Sequence, residues 1–266
     1  MINRIISISF LAFICISSMC LFVVALLIWI LTVAFDRRLT LLHLFSSFWA
    51  SLYLWLMPAW SVTIKGKKNV DKNKTYVITS NHQSLLDILV AFRLFFHFKW
   101  VSKAEIFKLP FIGWNMRLNR YIALRRGDKA SVQQMFDDCN KAISQGNSIF
   151  MFPEGTRSKN RQLKSFKPGA FILAKDNCIP ILPIAISGTR EALPKHSLNF
   201  HGKNPIIVEI LSEISSETVA QLSVEELSNR VHSIISRQVM INYSIIDPDH
   251  GRIPKKDNFL ARNIEN

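Results

Sequence analysis

The chain has 266 residues, of which 49% are hydrophobic and 20% are charged, with a formal net charge of +14. This apolar content excludes an intrinsically disordered protein, and the length favours one globular domain over several. The first 62 residues hold only three basic side chains and one acidic side chain, so the remaining 204 carry a net charge of +12 and form a basic globular body.

Two apolar stretches occupy the N-terminal region. Residues 5–35 contain no charged side chain, which gives more than the ~20 apolar residues of a transmembrane helix and the ~15 of a signal peptide. We interpret this stretch as a membrane anchor. Residues 39–62 contain Trp49, Trp55 and Trp60 and are interrupted by serines and Pro58. They fit either a second span or a helix lying in the membrane interface.

The charges that flank these stretches favour a cytoplasmic body. If only the first stretch spans, all the basic residues that follow it lie on the cytoplasmic side, as the positive-inside rule requires. We expect a bilayer as partner, in particular the bacterial inner membrane, with anionic lipid attracting the basic body. The same charge could serve only to keep the domain soluble. The four cysteines show no disulfide or zinc spacing, which favours a reducing compartment and predicts no metal site.

The body alternates between strand-like and helix-like segments. Strands are predicted at 75–80, 99–102, 122–124, 148–152, 179–186 and 205–214, and helices at 84–96, 130–145, 168–176 and from 223 to about 239, where Ser223 and Glu226 form a capping box. This order predicts an α/β fold, a single globular domain with a mixed sheet flanked by helices. The predicted boundaries are 1–62 for the anchor, 63–246 for the globular domain and 247–266 for a basic tail.

A histidine and an aspartate follow the first predicted strand of the body. His82 comes directly after that strand and Asp87 lies five residues later. His82 is a candidate general base, and Asp87 one helical turn on would fix its tautomer while nearby helix amides stabilise an oxyanion. In the alternative interpretation Asp87 only caps the helix, since Ser84-x-x-Asp87 fits a capping pattern.

A second group of polar residues follows the strand at 148–152. The sequence Phe152-Pro-Glu-Gly-Thr-Arg157 places a flexible glycine at 155, an orienting carboxylate at 154 and a hydroxyl at 156 beside Arg157, which suits a phosphate or carboxylate. The adjacent pair Arg125 and Arg126 closes the strand at 122–124 and adds further cationic groups. An ordinary polar turn would explain the second group taken alone.

Taken together, these residues resemble the glycerolipid acyltransferase family. Four blocks occur in the family's order across residues 62–200: Asn81-His82 to Asp87, Leu109-Pro110 to Arg126, Phe152 to Arg157, and Ile179-Pro180 to Ile184. The resemblance implies that His82 activates an acceptor hydroxyl, supported by Asp87. It further implies a glycerol phosphate site formed by the residues Arg126, Glu154, Gly155, Thr156 and Arg157.

One position departs from the family pattern. The residue before the family arginine is often Asp, whereas here Arg125 precedes Arg126. Either arginine could therefore bind phosphate, although ungapped spacing from Leu109-Pro110 favours Arg126.

The resemblance implies acyl transfer to the 2-hydroxyl of lysophosphatidic acid, with acyl-CoA or acyl-carrier protein as the donor substrate and no cofactor. Another lysophospholipid or lyso-aminolipid acceptor, a hydrolase and a non-catalytic lipid-binding protein remain alternatives. We expect no nucleic-acid partner, because no nucleic-acid motif accompanies the basic charge.

Overall fold

A computed structural model of the protein describes residues 2–158, 162–194 and 203–247, without the side chains of 2–7. The predicted basic tail at 247–266 lies almost entirely outside the described residues. The helices are α1 Ile2–Thr32, α2 Thr40–Trp55, α3 Leu86–Phe92, α4 Ile112–Leu118, α5 Lys129–Ser144, α6 Gly169–Asp176, α7 Thr189–Ala192, α8 Ser216–Gln221 and α9 Val224–Ile246. The strands are β1 Trp60–Lys65, β2 Val77–Ser80, β3 Phe98–Lys103, β4 Ile122–Leu124, β5 Ser148–Met151, β6 Ile181–Ser187 and β7 Asn204–Ile210.

The seven strands form one mixed sheet in the order β1-β7-β6-β2-β5-β3-β4. Neighbours pair in parallel except β6 and β7, which are antiparallel. The α/β fold with a mixed sheet is therefore confirmed. Because β2 to β6 all run in the same direction, their carboxyl ends lie along one edge of the sheet, where α/β proteins place their ligands.

Helices cover both faces of the sheet because successive strand residues point to opposite sides. Ile78 and Phe150 face a core shared with α2 and α3, whereas Val77 and Ile149 face a core shared with α5, α6 and α9. All four side chains are fully buried. The central strands are thus apolar on both faces, as parallel strands between two helical layers require.

Two predicted segments differ from the structure. The helix predicted at 84–96 is limited to α3, because the chain turns after Phe92 and Phe95 adopts a left-handed backbone with φ 48°. The apolar stretch 39–62 is not a single helix: α2 ends at Trp55, and Trp60 begins β1, which pairs with β7. Strand β1 follows the apolar helix α2 with no polar residues between them, so the sequence gives no sign of where the helix ends and the strand begins.

The two N-terminal helices differ in their surroundings. Within the described residues, α1 is the one helix long and apolar enough to cross a membrane, over Ile8–Thr32, and most of its side chains are exposed. Helix α2 has 16 residues, fewer than the ~20 of a span. Nine of those residues are buried, and α2 packs against α1 and α3. The domain boundary at residue 62 remains a prediction.

A buried lysine ties the α1–α2 connection to the sheet. Lys99, on β3, is 3% exposed, and its Nζ donates to the carbonyl oxygens of Arg38 and Asn119, each at 2.8 Å. Burial lowers the pKa of Lys99 to about 7, and the positive charges of Arg120 and Arg38 act in the same direction. The amine thus joins the connection at Arg38 to the end of α4 through two backbone groups.

Candidate active site

His82 and Asp87 form a hydrogen-bonded pair at the carboxyl edge of the sheet. His82 follows β2, and its Nδ1 lies 2.8 Å from Asp87 Oδ2. Since a carboxylate only accepts, Nδ1 carries the proton and Nε2 is left as the basic nitrogen. The His82 side chain is 13% exposed while that of Asp87 is fully buried. This is the tautomer and the accessibility that a general base requires.

Asp87 accepts hydrogen bonds on both of its oxygens. Oδ2 also accepts from the amides of Gln83 at 2.6 Å and Ser84 at 2.8 Å, and Oδ1 accepts from the Thr189 hydroxyl. Asp87 thus closes the start of α3 and orients His82, so the two interpretations of this residue coexist. The expected oxyanion role of these helix amides is not supported, because the amides of Gln83 and Ser84 already donate to Asp87.

Phe152 fixes the plane of the His82 ring. The two rings stack with centroids 4.2 Å apart and an interplanar angle of 15°. Phe152 in turn stacks on Trp100, with centroids 5.5 Å apart. The imidazole is therefore held by a carboxylate in its plane and by an aromatic ring on its face.

Glu154 braces the loops around His82. It is 3% exposed, and its two oxygens accept from the backbone amides of His82 at 2.8 Å and Lys164 at 3.1 Å. Burial raises the pKa of Glu154, while these two amides act in the opposite direction. Each carboxylate oxygen of Glu154 already accepts a hydrogen bond from a backbone amide. A direct contact of Glu154 with substrate therefore stays a prediction.

Gly155 needs its missing side chain for two reasons. Its φ of 67° is the left-handed conformation that glycine tolerates, and an added Cβ would lie 3.0 Å from Lys167 Cε. The Lys167 amide also donates to the Pro153 carbonyl at 2.9 Å. The segment carrying Lys167 therefore lies directly across the loop that follows β5.

A cavity of about 270 Å³ opens at this edge of the sheet and is lined mostly by apolar atoms. His82, Arg126 and Gly155 line it together with Phe152. Helix α2 supplies part of its wall through Ser46, Trp49, Ala50 and Tyr53, and α3 and α4 supply further apolar and polar groups. The base thus faces a space with an apolar wall and a guanidinium.

The two neighbouring arginines point to different places. Arg126 lines the cavity, whereas Arg125 is 71% exposed with its Nη1 3.6 Å from Asp128 Oδ2. This geometry agrees with the assignment of Arg126 as the phosphate ligand. Thr156 is exposed and Arg157 is half-buried, and neither lines the cavity. The phosphate-binding roles of Arg126, Thr156 and Arg157 remain predictions.

Three residues at this edge escaped the sequence interpretation. Ser102 and Lys103 at the end of β3 line the cavity, and Thr189 after β6 bonds Asp87. Lys103 directly follows a predicted strand, so the rule that located His82 also points to it, whereas Ser102 is the last residue of that strand and Thr189 lies three residues after the predicted strand at 179–186. In the sequence, however, none of the three belongs to a motif.

The fold and the site together indicate the kind of substrate on which the protein acts. A solvent-facing imidazole held by a buried carboxylate can deprotonate a hydroxyl, and a cavity with apolar walls and an arginine suits an amphiphile with an anionic group. No group of three or more potential metal ligands occurs in the described ranges.

Comparison with known proteins gives a consistent picture. The family model described as Acyltransferase matches residues 61–187. The chloroplast 1-acyl-sn-glycerol-3-phosphate acyltransferase of Arabidopsis thaliana is 38% identical over 62% of this chain and 47% of its own length. The Saccharomyces cerevisiae protein of the same activity name is 34% identical over 66% of this chain and 59% of its own. The 1-acyl-sn-glycerol-3-phosphate acyltransferase of Pseudomonas aeruginosa is 27% identical over 66% of this chain and 76% of its own length.

A solved structure confirms the fold. The 1-acyl-sn-glycerophosphate acyltransferase PlsC of Thermotoga maritima superposes with a TM-score of 0.78 at 23% identity, over 91% of this chain and 96% of that protein. The chain spans about half the length of the Arabidopsis relative. The family match over residues 61–187, these relatives and the four sequence blocks all support the resemblance to the glycerolipid acyltransferase family.

Proposed function

We propose that the protein is a 1-acylglycerol-3-phosphate O-acyltransferase. It transfers a fatty acyl group to the 2-hydroxyl of lysophosphatidic acid and so forms phosphatidic acid for phospholipid biosynthesis. The observation that carries this proposal is that His82, paired with Asp87, lines the same cavity as Arg126. The names of the relatives support the choice of acceptor.

The reaction needs a base and then an acid at one position. His82 Nε2 takes the proton of the acceptor hydroxyl while the oxygen attacks the thioester carbonyl of the donor. Asp87 stabilises the imidazolium that forms, as a carboxylate bonded to Nδ1 does. When the tetrahedral intermediate collapses, the carbon–sulfur bond breaks and His82 returns the proton to the departing thiolate. No covalent intermediate on the protein and no metal is required.

The two parts of the acceptor have separate partners in this proposal. The guanidinium of Arg126 forms a charge-assisted pair with the phosphate. Acyl chains contact the apolar wall, to which α2 and α3 contribute. Acyl-CoA and acyl-carrier protein are both compatible donors, because the proposed chemistry uses only the thioester that they share.

The site is proposed to act at a membrane. Helix α1 is apolar and long enough to anchor the body, so its length and composition support an association with a bilayer. We place the body on the cytoplasmic face, where the basic residues after α1 meet anionic lipid. The relatives include chloroplast proteins, so they do not support the bacterial inner membrane over other membranes.

Product analysis tests this function directly. Purified protein is incubated with lysophosphatidic acid and a radiolabelled acyl donor, and the lipids are separated by thin-layer chromatography. We expect labelled phosphatidic acid from the wild type and none above background from His82→Ala. Running acyl-CoA and acyl-carrier protein in parallel identifies the donor.

The same experiment separates the alternatives. Labelled free fatty acid in the absence of acceptor indicates a hydrolase, and labelled product from another lysophospholipid or lyso-aminolipid in an acceptor panel indicates a different acceptor. Phosphatidate binding that survives His82→Ala, with no acyl transfer by the wild type, indicates a lipid-binding protein.

A further inference from the structure

We infer that Thr189 is a positioning residue that holds the carboxylate of Asp87 in the orientation that His82 needs. The inference deepens the proposed function and rests on it for the kinetic part of its test. Thr189 lies two residues beyond the end of the family match at residue 187. None of the four sequence blocks contains it.

The first argument is the distribution of hydrogen bonds on Asp87. Oδ2 accepts three of them, from His82 Nδ1 and from the amides of Gln83 and Ser84. Oδ1 accepts one, from the hydroxyl of Thr189. Among the described residues no other donor to Oδ1 occurs, so Thr189 alone sets the position of the second oxygen and with it the plane of the carboxylate.

The second argument is burial. Asp87 and Thr189 are both fully buried, so water does not replace the hydroxyl when it is removed. An ionised carboxylate with an unbonded oxygen in such a place is strongly disfavoured. Loss of the Thr189 hydroxyl therefore favours rotation of the carboxylate, which shifts Oδ2 away from His82.

The third argument is how the fold fixes Thr189. Gly188 has a φ of 87°, and a Cβ there would lie 2.1 Å from the Pro205 carbonyl oxygen. The chain can thus turn sharply from β6 into α7 only with glycine at this position. At the other end of α7, Ser84 Oγ donates to the Leu193 carbonyl at 2.7 Å. Two side-chain contacts consequently join α7 to the start of α3 and to the loop that carries His82.

The test compares removal of this hydroxyl with removal of an equivalent one. Thr189→Val replaces the hydroxyl by a methyl group of similar size, and Thr189→Ser retains it. Thr79→Val is the matched control, because Thr79 is also fully buried and its hydroxyl has no hydrogen-bond partner among the described residues. Thr189→Ala substitutes for the valine variant if a thermal melt shows that the latter does not fold.

The kinetic readout is the separation of kcat from KM. We expect Thr189→Val to lower kcat by about 10- to 100-fold, the range for a hydrogen bond to a charged group, with KM for lysophosphatidic acid unchanged. Thr189→Ser should recover most of the rate, and Thr79→Val should stay within about twofold of the wild type. A kcat of Thr189→Val within that twofold, or an equal loss in Thr79→Val, overturns the inference.

A spectroscopic readout does not depend on the proposed function. In protein labelled with 15N-histidine, the proton shared between His82 Nδ1 and Asp87 gives a downfield resonance that His82→Ala identifies. We expect this resonance to shift or disappear in Thr189→Val and to be retained in Thr189→Ser and Thr79→Val. An unchanged resonance in Thr189→Val overturns the inference, whether or not the wild type transfers an acyl group. Absence of acyl transfer by the wild type contradicts the proposed function and leaves the spectroscopic test of Thr189 intact.

Discussion

The two sides of the site differ in how complete their hydrogen bonding is without a ligand. On the base side, Asp87 is fully buried and accepts four hydrogen bonds. On the side proposed to bind phosphate, Arg126 is an exposed side chain at the cavity. A group fixed before the substrate arrives contributes through preorganisation, whereas an exposed cation contributes by binding an anion. Substitutions on the two sides should therefore affect different kinetic constants.

The strongest test of this difference is His82→Ala. Removing a general base typically lowers a rate by about 100- to 10,000-fold, and we expect a loss of this size in kcat with the melting temperature little changed. Turnover with labelled donor and a thermal melt measure the two quantities. The control is His232→Ala, since His232 is half-buried on α9 and contacts Phe166. Wild-type turnover in His82→Ala would reject the base assignment.

The second largest effect is expected from Arg126→Ala. Loss of a charge-assisted contact with phosphate should raise KM for lysophosphatidic acid by about 10- to 100-fold and change kcat much less. Initial rates over a range of acceptor concentrations measure both constants. A large fall in kcat at unchanged KM would show that Arg126 acts on the rate of the reaction and not on binding of the acceptor.

A buried lysine extends the comparison to stability. Burial lowers the pKa of Lys99 from its ordinary 10.5 to about 7. Between those pH values the unfolded chain binds a proton at this position and the folded chain does not, so folding stability rises with pH. We expect the unfolding free energy of the wild type minus that of Lys99→Met to increase by at most about 1.4 kcal/mol per pH unit.

Denaturant melts between pH 7 and pH 10 measure this difference. Taking the difference between the two proteins removes the contribution of groups that titrate equally in both. If the difference in unfolding free energy stays constant between pH 7 and pH 10, the pKa of Lys99 is not depressed. The same amine donates a hydrogen bond to the Arg38 carbonyl and so ties the α1–α2 connection to the sheet.

The smallest effect is expected from Arg125→Ala. This side chain is 71% exposed and faces Asp128, and exposed ion pairs contribute little. We expect both kinetic constants to stay within about twofold of the wild type. The variant removes the same charge as Arg126→Ala from the adjacent position, so it is the matched control for that experiment. An equal rise in KM for both variants would mean that general positive charge, and not Arg126, attracts the acceptor.

The central strands and the His82–Asp87 pair are predictable because both depend on local patterns. Apolar runs that end in polar residues identify β2 and β5, and the shared direction of parallel strands brings their ends together. Strand β1 could not be predicted in the same way, because its pairing partner β7 is about 140 residues away and only tertiary pairing distinguishes it from the preceding helix.

Thr189 and Glu154 show where sequence reasoning ends. Helix α7 has four residues, which is too few for a periodic pattern, so nothing in the sequence marks its first residue as a partner of Asp87. Glu154 lies in a recognisable motif, yet its two hydrogen bonds go to backbone amides that the fold brings together. The motif gives the residue, and the tertiary structure gives its contacts.

The contribution of α2 to the cavity wall has a practical consequence for protein production. A fragment that begins at residue 63 would look like a clean soluble catalytic domain by the sequence boundary. It would lack Ser46, Trp49, Ala50 and Tyr53 from the wall and would open the buried core around Leu54 to solvent. Inactivity of such a fragment would therefore report a damaged site as much as a lost membrane contact. Detergent extraction of the whole chain removes the membrane while it leaves the cavity wall intact, so it distinguishes a lost membrane contact from a damaged site.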